Sequence, residues 1–349
     1  LGGHLRHDPE LPGAGKPLAD LIGKVTKHKH IRVISSAIVF GCYEGNYLGI
    51  QQDQRMIRLR AAQVVIAAGA WERPLVFENN DLPGIMLATG ALRLARLYGT
   101  RPGTRCVVVT DDDHGVEAAA ELAAAGVQVA AVIDARPASG TAPSGAELLT
   151  NARVVKAGGK GHIASVTIDV GGATREIECD LVAVATRLEP VTQLLAQDGA
   201  RPAYDEAAGE FVPATLPAGL SVAGDIRGFR NPALAYDDGR LSGAEAASAV
   251  GFGSAPEGRA VWQTRWQTAR DGRRILEKAT MPTGKKQFVC VCEDVTVKEL
   301  AQGAKEGFTS LELMKRYSTV TMGPCQGKMC HGLSARAHAQ VTGSTPART

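Results

Sequence analysis

The chain has 349 residues, of which 44% are hydrophobic and 21% charged, and these proportions exclude a disordered, collagen-like or coiled-coil protein. The 39 lysines and arginines against 36 aspartates and glutamates leave a formal net charge of +3, which is too balanced to indicate a nucleic-acid or membrane-surface partner. No apolar run approaches the roughly 20 residues that a membrane span needs.

The first part of the chain is predicted to form strands that lead to a cofactor-binding edge. Alternating patterns predict strands at 31–34, 36–40, 47–50 and 56–60, followed by a fully apolar strand at 63–67. Ala68 and Gly69 come directly after this last strand, and such small residues let the backbone approach a ligand closely. We place Gly3, near the start of the chain, in the same expected site.

A β-α-β unit is predicted next, with strands at 105–110 and 127–133 around an alanine-rich helix at 115–126. Asp134 stands at the position of a ribose-binding acid, but the turn departs from G-x-G-x-x-G because Thr110, Asp112 and Gly115 occupy the glycine positions. Three consecutive acids at 111–113 would put carboxylates where a pyrophosphate needs bare amides. We predict that this lobe keeps the fold and has lost or greatly weakened dinucleotide binding.

A third segment completes the predicted α/β architecture. An apolar strand at 179–186 repeats the pattern of the strand at 63–67, and a short strand at 220–222 precedes Ala223, Gly224 and Asp225. A helix is predicted at 232–250. An acid at such a strand end can direct its carboxylate to a sugar-like hydroxyl, while Gly224 allows close approach. The expected cofactor site therefore consists of Gly3, Ala68, Gly69, Gly224 and Asp225.

Three of the seven cysteines, Cys42, Cys106 and Cys179, lie singly in apolar strand patterns, which is typical of small buried hydrophobic residues. An odd number of cysteines without regular pairing does not indicate a secreted disulfide framework, so a reducing, cytoplasmic location is expected. The chain begins at Leu1 rather than Met, and we expect further sequence upstream.

The other four cysteines form two close pairs near the C-terminal end, Cys290 with Cys292 and Cys325 with Cys330. Capping boxes are predicted at 296–299 and 309–312, so two short helices should separate the pairs, and Gly307 should end the first helix. A helix–turn–helix can return the second pair to the first. Four thiolates brought together in this way are the ligand set of a tetrathiolate zinc or of an iron–sulfur cluster.

The cysteine spacing favours a 2Fe-2S cluster over zinc. Structural zinc sites prefer gaps of two residues, whereas the gaps here are C-x-C and C-x-x-x-x-C. Neighbouring glycines leave backbone amides free to approach sulfide, and the basic residues Lys315, Arg316 and Lys328 would offset the charge of a cluster. With four thiolates available, His331 is predicted to be exposed or to lie outside the ligand set.

The stretches VIAAGAWERPLVF at 65–77 and NDLPGIMLA at 80–88 resemble the α subunit of heterotetrameric sarcosine oxidase, as do residues 132–136 and 315–319. The chain is also similar to the α subunits of opine, proline and cyanide-forming glycine dehydrogenases. The resemblance covers nearly the whole chain. It implies an α/β fold of paired Rossmann-like dinucleotide-binding domains, of the disulfide-reductase type, followed by a small helical 2Fe-2S domain like that of bacterioferritin-associated ferredoxin.

The expected domains are an FAD- or NAD-binding lobe at 1–100 and 201–280, a second Rossmann-like lobe at 101–200, and a 2Fe-2S domain at 281–349. The linker before the last domain is predicted at 281–286. By the resemblance, the first strand and phosphate loop of the first lobe belong upstream of Leu1, and a folate-binding domain often follows in the family.

The resemblance implies a subunit that holds FAD or NAD in the first lobe and a 2Fe-2S electron relay, and Asp225 together with the four cysteines favours FAD. It also implies a partner β subunit whose flavin oxidises a secondary amine such as sarcosine, and possible further small subunits. No catalytic residue is expected in this chain, because no nucleophile–base arrangement is present in its sequence. A stand-alone reductase is disfavoured because the second lobe has no C-x-x-C pair; a scaffold subunit with a structural zinc stays open.

Overall fold

A computed structural model describes residues 2–6, 18–137, 140–206, 209–228, 231–271 and 284–348. The strands in chain order are β1 (Ala37–Tyr43), β2 (Tyr47–Gln52), β3 (Arg55–Arg60), β4 (Val64–Ile66), β5 (Ala70–Glu72), β6 (Ile85–Leu87), β7 (Arg105–Thr110), β8 (Gln128–Asp134), β9 (Glu147–Leu149), β10 (Ala152–Gly159), β11 (Ile163–Val170), β12 (Ala173–Glu178), β13 (Leu181–Ala185), β14 (Leu188–Pro190), β15 (Arg201–Asp205), β16 (Glu210–Thr215), β17 (Leu220–Val222), β18 (Phe288–Cys290) and β19 (Val295–Thr296). The α-helices are α1 (Leu18–Lys27), α2 (Ala88–Tyr98), α3 (Asp113–Ala124), α4 (Gln193–Gln197), α5 (Pro232–Ala249), α6 (Arg259–Asp271), α7 (Val297–Lys305), α8 (Leu311–Ser318) and α9 (His331–Thr342). Short 3-10 helices lie at Gly3–Arg6, Gly224–Arg227 and Pro346–Arg348.

The chain divides into two compact units. The first consists of Leu1–Ala70 and Leu188–Gly272, and the second of Trp71–Arg187 and Arg273–Thr349. The predicted first lobe thus corresponds mainly to the first unit, and the predicted second lobe and cysteine-bearing region to the second. The three predicted domain boundaries stay a prediction. Residues 281–283 of the predicted linker lie outside the described residues.

The second unit is built on a five-stranded parallel sheet with the order β6-β13-β7-β8-β9. The predicted β-α-β unit is confirmed as β7, α3 and β8. A separate antiparallel sheet, β10-β11-β12, is inserted in the chain between β9 and β13. Parallel strands joined by helical crossovers are the signature of Rossmann-like domains, so the predicted α/β class is confirmed.

Both faces of the parallel sheet are covered, which explains the continuous apolar character of its strands. Val107 and Val109 of β7 pack in a core that includes residues of the β10-β11-β12 sheet, whereas Cys106 and Val108 pack on the other side with residues of α2 and α3. Cys106 and Cys179 are both buried, and burial raises the pKa of each thiol to about 12. These two cysteines are small core residues, as predicted.

The first unit contains the parallel pair of β4 with β17 and the antiparallel sheet β1-β2-β3. Cys42 of β1 packs with Val64 and Ile66 of β4 and with Leu220 of β17 in the core of this unit, and it is fully buried. The carboxyl ends of β4 and β17 lead into Gly69 and Gly224 respectively. The short parallel pair therefore brings the two predicted cofactor segments to one edge.

The C-terminal region of the second unit is mainly helical, with β18 and β19 paired antiparallel ahead of α7, α8 and α9. The first predicted capping box is confirmed: the Thr296 amide donates to the Glu299 carboxylate at 2.7 Å, and the Glu299 amide donates to the Thr296 hydroxyl at 3.4 Å. Leu300 of α7, Met314 of α8 and Leu333 of α9 pack in one core. This core also includes the buried cysteines Cys290 and Cys330.

Two local predictions are wrong. Residues 31–34 form no strand, and regular pairing begins only at Ala37 of β1. The second capping box does not form from Thr309, because the N-cap of α8 is Ser310, whose hydroxyl accepts the Leu313 amide at 3.2 Å. With the cap shifted by one residue, Glu312 cannot reach back to it and instead pairs with side chains further along the helix.

Candidate functional site

A cavity of about 430 Å³ opens at the carboxyl ends of β4 and β17, entirely within the first unit. All the residues of the sequence-predicted cofactor site line its wall: Gly3, Ala68, Gly69, Gly224 and Asp225. Sequence reasoning missed the contributions of Leu21 from α1 and of Tyr236 and Gly239 from α5. The volume falls in the range of about 300–1,000 Å³ that is usual for small-molecule and cofactor sites.

Backbone rather than side chains forms the part of the wall next to the strand ends. Gly69 and Gly224 have φ values of 75° and 79°, which L side chains rarely adopt. A Cβ at Gly69 would meet no atom within 4 Å, and one at Gly224 would meet only the Ala235 Cβ at 3.8 Å. Side chains at these positions would project into free space, so the glycines keep that space open for a ligand.

Asp238, a fully buried residue of α5, holds the turn that carries Gly224 and Asp225. Its Oδ2 accepts the Gly224 amide at 2.8 Å and Arg227 Nε at 2.7 Å, and its Oδ1 accepts Arg259 Nη1 at 2.5 Å. One carboxylate therefore joins α5 and α6 to the edge of the cavity. Sequence analysis missed this role, because nothing in the Tyr-Asp-Asp-Gly stretch separates Asp238 from its neighbour.

The corresponding strand ends of the second lobe carry paired charges. Asp134, at the expected ribose position, accepts Arg136 Nε at 3.0 Å and Nη2 at 2.7 Å, and Arg136 Nη1 donates to Asp113 at 2.5 Å. Both Asp134 and Arg136 are buried. A Cβ at Gly115 would lie only 2.2 Å from Thr110 Cβ, so the helix packs closely on the strand. The acid that could bind a ribose is already engaged by this chain's own arginine.

A further buried polar cluster in the second unit was not anticipated from the sequence. Glu72 Oε1 lies 2.7 Å from His114 Nε2, while Glu72 Oε2 accepts the amide of Thr89 at 2.8 Å and its hydroxyl at 2.6 Å. Beside these, Asp111 Oδ2 lies 3.4 Å from Arg73 Nη2 and 3.6 Å from Arg187 Nε. Buried charges are tolerated when they are paired in this way, so the cluster has a structural explanation.

The four C-terminal cysteines converge, although 32 positions separate the two predicted pairs. Cys292 Sγ lies 3.7 Å from Cys290 Sγ and 3.5 Å from Cys325 Sγ, and the Cys330 thiol forms a hydrogen bond with Cys290. Among the described residues, no three or more His, Cys, Asp or Glu side chains are arranged as ligands of a single metal ion. Pairwise contacts between the sulfurs therefore link all four cysteines.

The surroundings of the sulfurs have opposite effects on their ionisation. Burial raises the pKa of the Cys292 thiol to about 11 and that of Cys330 to about 12. Burial also acts on Cys325, but hydrogen bonds from the amides of Met329, Gly327 and Lys328 outweigh it and lower the pKa of that thiol. Three backbone amides of the turn at 325–330 therefore donate hydrogen bonds to the Cys325 sulfur.

Two glycines make this arrangement possible. A Cβ at Gly323 would lie 2.6 Å from Cys292 Sγ, and Gly327 has a φ of 79°. The close approach at Gly323 and the left-handed conformation at Gly327 both require glycine. His331, the first residue of α9, is exposed, which is one of the two settings predicted for it.

The basic residues predicted to offset a cluster's charge lie in different settings. Lys315 and Arg316 each lie 3.3 Å from Glu312 on the exposed side of α8, so their charges are partly compensated there. The Lys328 ammonium lies 5.6 Å from the centre of the Trp71 ring, a cation–π contact within the second unit. Of the three, only Lys328 also contributes a backbone amide to a cysteine sulfur.

Comparison with known proteins agrees with the resemblance seen in the sequence. Residues 284–349 match the sarcosine oxidase A3 domain. The chain is 31% identical over 335 residues to the sarcosine oxidase alpha subunit of Rhizobium meliloti, covering 91% of this chain and 33% of that protein. It is 26% identical over 317 residues to an opine oxidase subunit from Agrobacterium tumefaciens, covering 79% and 63% respectively. The chain thus spans about a third of the length of the sarcosine oxidase subunit.

The fold is shared with a crystal structure of L-proline dehydrogenase from P. horikoshii, with a TM-score of 0.80 at 22% identity. That alignment covers 99% of this chain and 68% of the other. Within the described part of the chain, no helix is long and apolar enough to cross a membrane. Over most of its length the chain is similar to the sarcosine oxidase alpha subunits, and its C-terminal region matches the sarcosine oxidase A3 domain.

Proposed function

We propose that this chain is the part of an alpha subunit that carries a dinucleotide and a 2Fe-2S cluster in a heteromeric, flavin-dependent oxidase or dehydrogenase of a secondary amine such as sarcosine. The observation that carries the proposal is the convergence of Cys290, Cys292, Cys325 and Cys330. The sarcosine and opine oxidase relatives support the class of reaction.

The cavity of the first unit fits a dinucleotide. Its wall next to the strands is bare backbone at Gly69 and Gly224, as required where a cofactor approaches a strand end closely. Asp225 supplies a carboxylate to the lining, which suits a sugar-like hydroxyl. We favour FAD over NAD because Asp225 occurs together with the four cysteines, the combination that the resemblance associates with flavin and cluster.

The cysteine site fits a 2Fe-2S cluster better than a single zinc ion. Thiolates are the ligands that iron–sulfur clusters take, and amide donors to sulfur, as at Cys325, are a common means of tuning cluster potential. Structural zinc sites prefer gaps of two residues between their cysteines, whereas the gaps here are C-x-C and C-x-x-x-x-C. A 2Fe-2S cluster instead spreads its four cysteines over two irons.

Electron transfer is the chemistry that these cofactors supply when bound, and the chain's own residues bind and orient them. Asp238 fixes the Gly224–Asp225 turn, and the amides of the 325–330 turn favour the thiolate form of Cys325. Amine oxidation is assigned to the flavin of a partner β subunit, and further small subunits fit the same scheme. No residue of this chain is assigned a catalytic role.

The alternative is a scaffold subunit with vestigial nucleotide lobes and a structural tetrathiolate zinc. The ion pair of Asp134 with Arg136 favours this interpretation for the second lobe only. A visible spectrum and a metal analysis of the purified full-length subunit separate the two functions. Flavin bands with a broad absorbance that dithionite bleaches support the proposal; a colourless protein with stoichiometric zinc contradicts it.

A cysteine variant tests whether the cluster belongs to these residues. Cys325→Ser should abolish the cluster absorbance and its bound iron, while the flavin bands and the unfolding of the first unit stay unchanged. Cys179→Ala, which changes a lone buried cysteine, is the matched control and should keep the cluster. Loss of flavin together with the cluster in Cys325→Ser would contradict the separate binding sites.

A further inference from the structure

One face of the β1-β2-β3 sheet carries side chains that are unusual for a solvent-facing surface. Side chains of residues that are paired directly across neighbouring strands point to the same face of the sheet. Along one strand, every second side chain points to that face. Ile38 pairs with Gln51, which pairs with Met56, and this row defines the face. We call it the meander face; it consists of Ile38, Phe40, Tyr43, Tyr47, Gln51, Met56, Arg58 and Arg60.

The aromatic rings of the meander face lie over glycines of the sheet. A Cβ at Gly49 would lie 2.6 Å from the Phe40 ring, and one at Gly41 would lie 2.5 Å from the Tyr43 ring. Glycine is a poor strand former, so its use here leaves room for rings that cover the backbone. Phe40 stands at the register shift of β1, which directs its side chain to this face.

These side chains are exposed although they are apolar. Ile38 is 66% exposed and Met56 65%, while Phe40 and Tyr43 are 41% and 43% exposed. On the opposite face of the same sheet Cys42 and Ile50 are buried in the core of the unit, and its edges, at Val39 and Leu59, are partly exposed. A sheet with one packed face ordinarily presents polar residues on the other. A cluster of exposed apolar side chains of this kind marks an interaction site.

The charges of the meander face restrict its partner. Arg58 and Arg60 are both exposed, and the Arg60 guanidinium lies 5.8 Å from the centre of the Tyr47 ring. None of the eight side chains is acidic. Two copies of the chain meeting through this face would bring four arginines together with no carboxylate from either face. A different protein with carboxylates around an apolar centre fits the surface instead.

We propose that the meander face docks a protein subunit whose complementary surface has an apolar centre and an acidic rim. Ile38, Phe40 and Met56 form the apolar contact, and Arg58 with Arg60 provides the charged edge. This inference rests on the proposed function for the identity of the partner, which is the amine-oxidising flavoprotein subunit of the same enzyme. Arginine and aromatic residues are enriched in such interfaces, in agreement with the composition of this face.

The test titrates the full chain, loaded with its cofactors, with the separately purified amine-oxidising flavoprotein subunit of the same enzyme. Replacing Ile38 and Met56 by Ser should raise the Kd by about tenfold or more, since both side chains lie in the apolar contact. R58Q with R60Q should also raise the Kd at low salt and flatten its increase between about 50 and 300 mM salt. Val261→Ser on α6, at 65% exposure, is the matched control and should leave the Kd unchanged.

The proposal would be overturned if both double variants bound the flavoprotein subunit with the wild-type Kd. It would also be overturned if sedimentation showed that the chain alone forms a dimer that Ile38→Ser disrupts. Arginine-dependent binding of the chain to phosphatidylserine vesicles would overturn it too. Absence of binding by the wild-type chain would overturn it as well. The flavin and cluster spectra of each variant are recorded separately. A colourless wild-type chain would refute the proposed function, whereas coloured variants with unchanged binding would refute only the docking surface.

Discussion

At the carboxyl ends of β4 and β17 the first lobe presents glycine backbone and a cavity of about 430 Å³, whereas at the ends of β7 and β8 the second lobe presents carboxylates held by an arginine. Both lobes place a strand, a turn and an acid in the order that a Rossmann-like domain uses. The acid of the first lobe, Asp225, lines a cavity, whereas the acid of the second lobe, Asp134, is held by the guanidinium of Arg136. The strand pattern therefore predicts the fold, and the side chains around the strand ends decide whether a ligand can enter.

Removing the arginine of the second lobe tests this comparison most strongly. Arg136→Met leaves the buried carboxylate of Asp134 without its ion-pair partner, so the free energy of unfolding should fall by about 3–5 kcal/mol in urea titrations. Arg153→Met, which breaks an exposed pair with Asp169, is the control and should cost at most about 1 kcal/mol. Binding of a second dinucleotide per wild-type chain would refute the interpretation that the second lobe has lost dinucleotide binding.

Asp238 offers the equivalent test in the first lobe. Asp238→Ala removes the acceptor of the Gly224 amide and two arginines, so we expect a loss of about 2–3 kcal/mol in stability and weaker dinucleotide binding. Asp237→Ala, which removes the neighbouring and partly exposed partner of Arg265, should change stability by less than about 1 kcal/mol. Flavin content and urea unfolding measure both effects. Equal behaviour of the two variants would contradict the role given to Asp238.

A methyl group at Gly69 tests whether the open space beside this glycine in the first lobe is used by a dinucleotide. Gly69→Ala should cost about 1–2 kcal/mol through its positive φ, and the methyl also reduces the space left for a dinucleotide. Gly99→Ala, at the end of α2, has a φ of 62° and equally free surroundings, so it carries the same strain away from the cavity. Fluorescence titration with FAD should show weaker binding for the first variant alone. Unchanged affinity in both would remove Gly69 from the site.

The smallest effect is expected at Asp180, a carboxylate of the second unit that joins sheet strands. Burial raises its pKa, but hydrogen bonds from Thr104 and the Arg105 amide outweigh this and lower it. A lowered pKa in the folded state means that the stabilisation is present above the unfolded value of about 3.9 and is lost as the pH falls below it. Asp180→Asn should therefore flatten the acid limb of a stability–pH profile. An unchanged limb would contradict this assignment.

The elements were predicted well where hydrophobic patterns were long. The strand at 105–110 and the helix ending near Gly126 correspond to β7 and α3, because buried parallel strands read as continuous apolar runs. Residues 31–34 have a similar pattern but form no strand, since a strand needs a neighbour to complete its hydrogen bonds. The cap of α8 was misplaced by one residue because Thr309 and Ser310 are both good N-caps.

Three features can be identified from the amino-acid sequence, because each depends on residue type and local order. They are the small residues at the strand ends, the spacing of the cysteines and the acids at 111–113. Three contacts are visible only in the folded chain: Arg136 engages Asp134, Asp238 holds the Gly224 turn, and the two cysteine pairs meet. These contacts join side chains on different elements, or depend on how a side chain folds back on its own strand end. Their geometry arises only when the elements pack, so no local pattern encodes it.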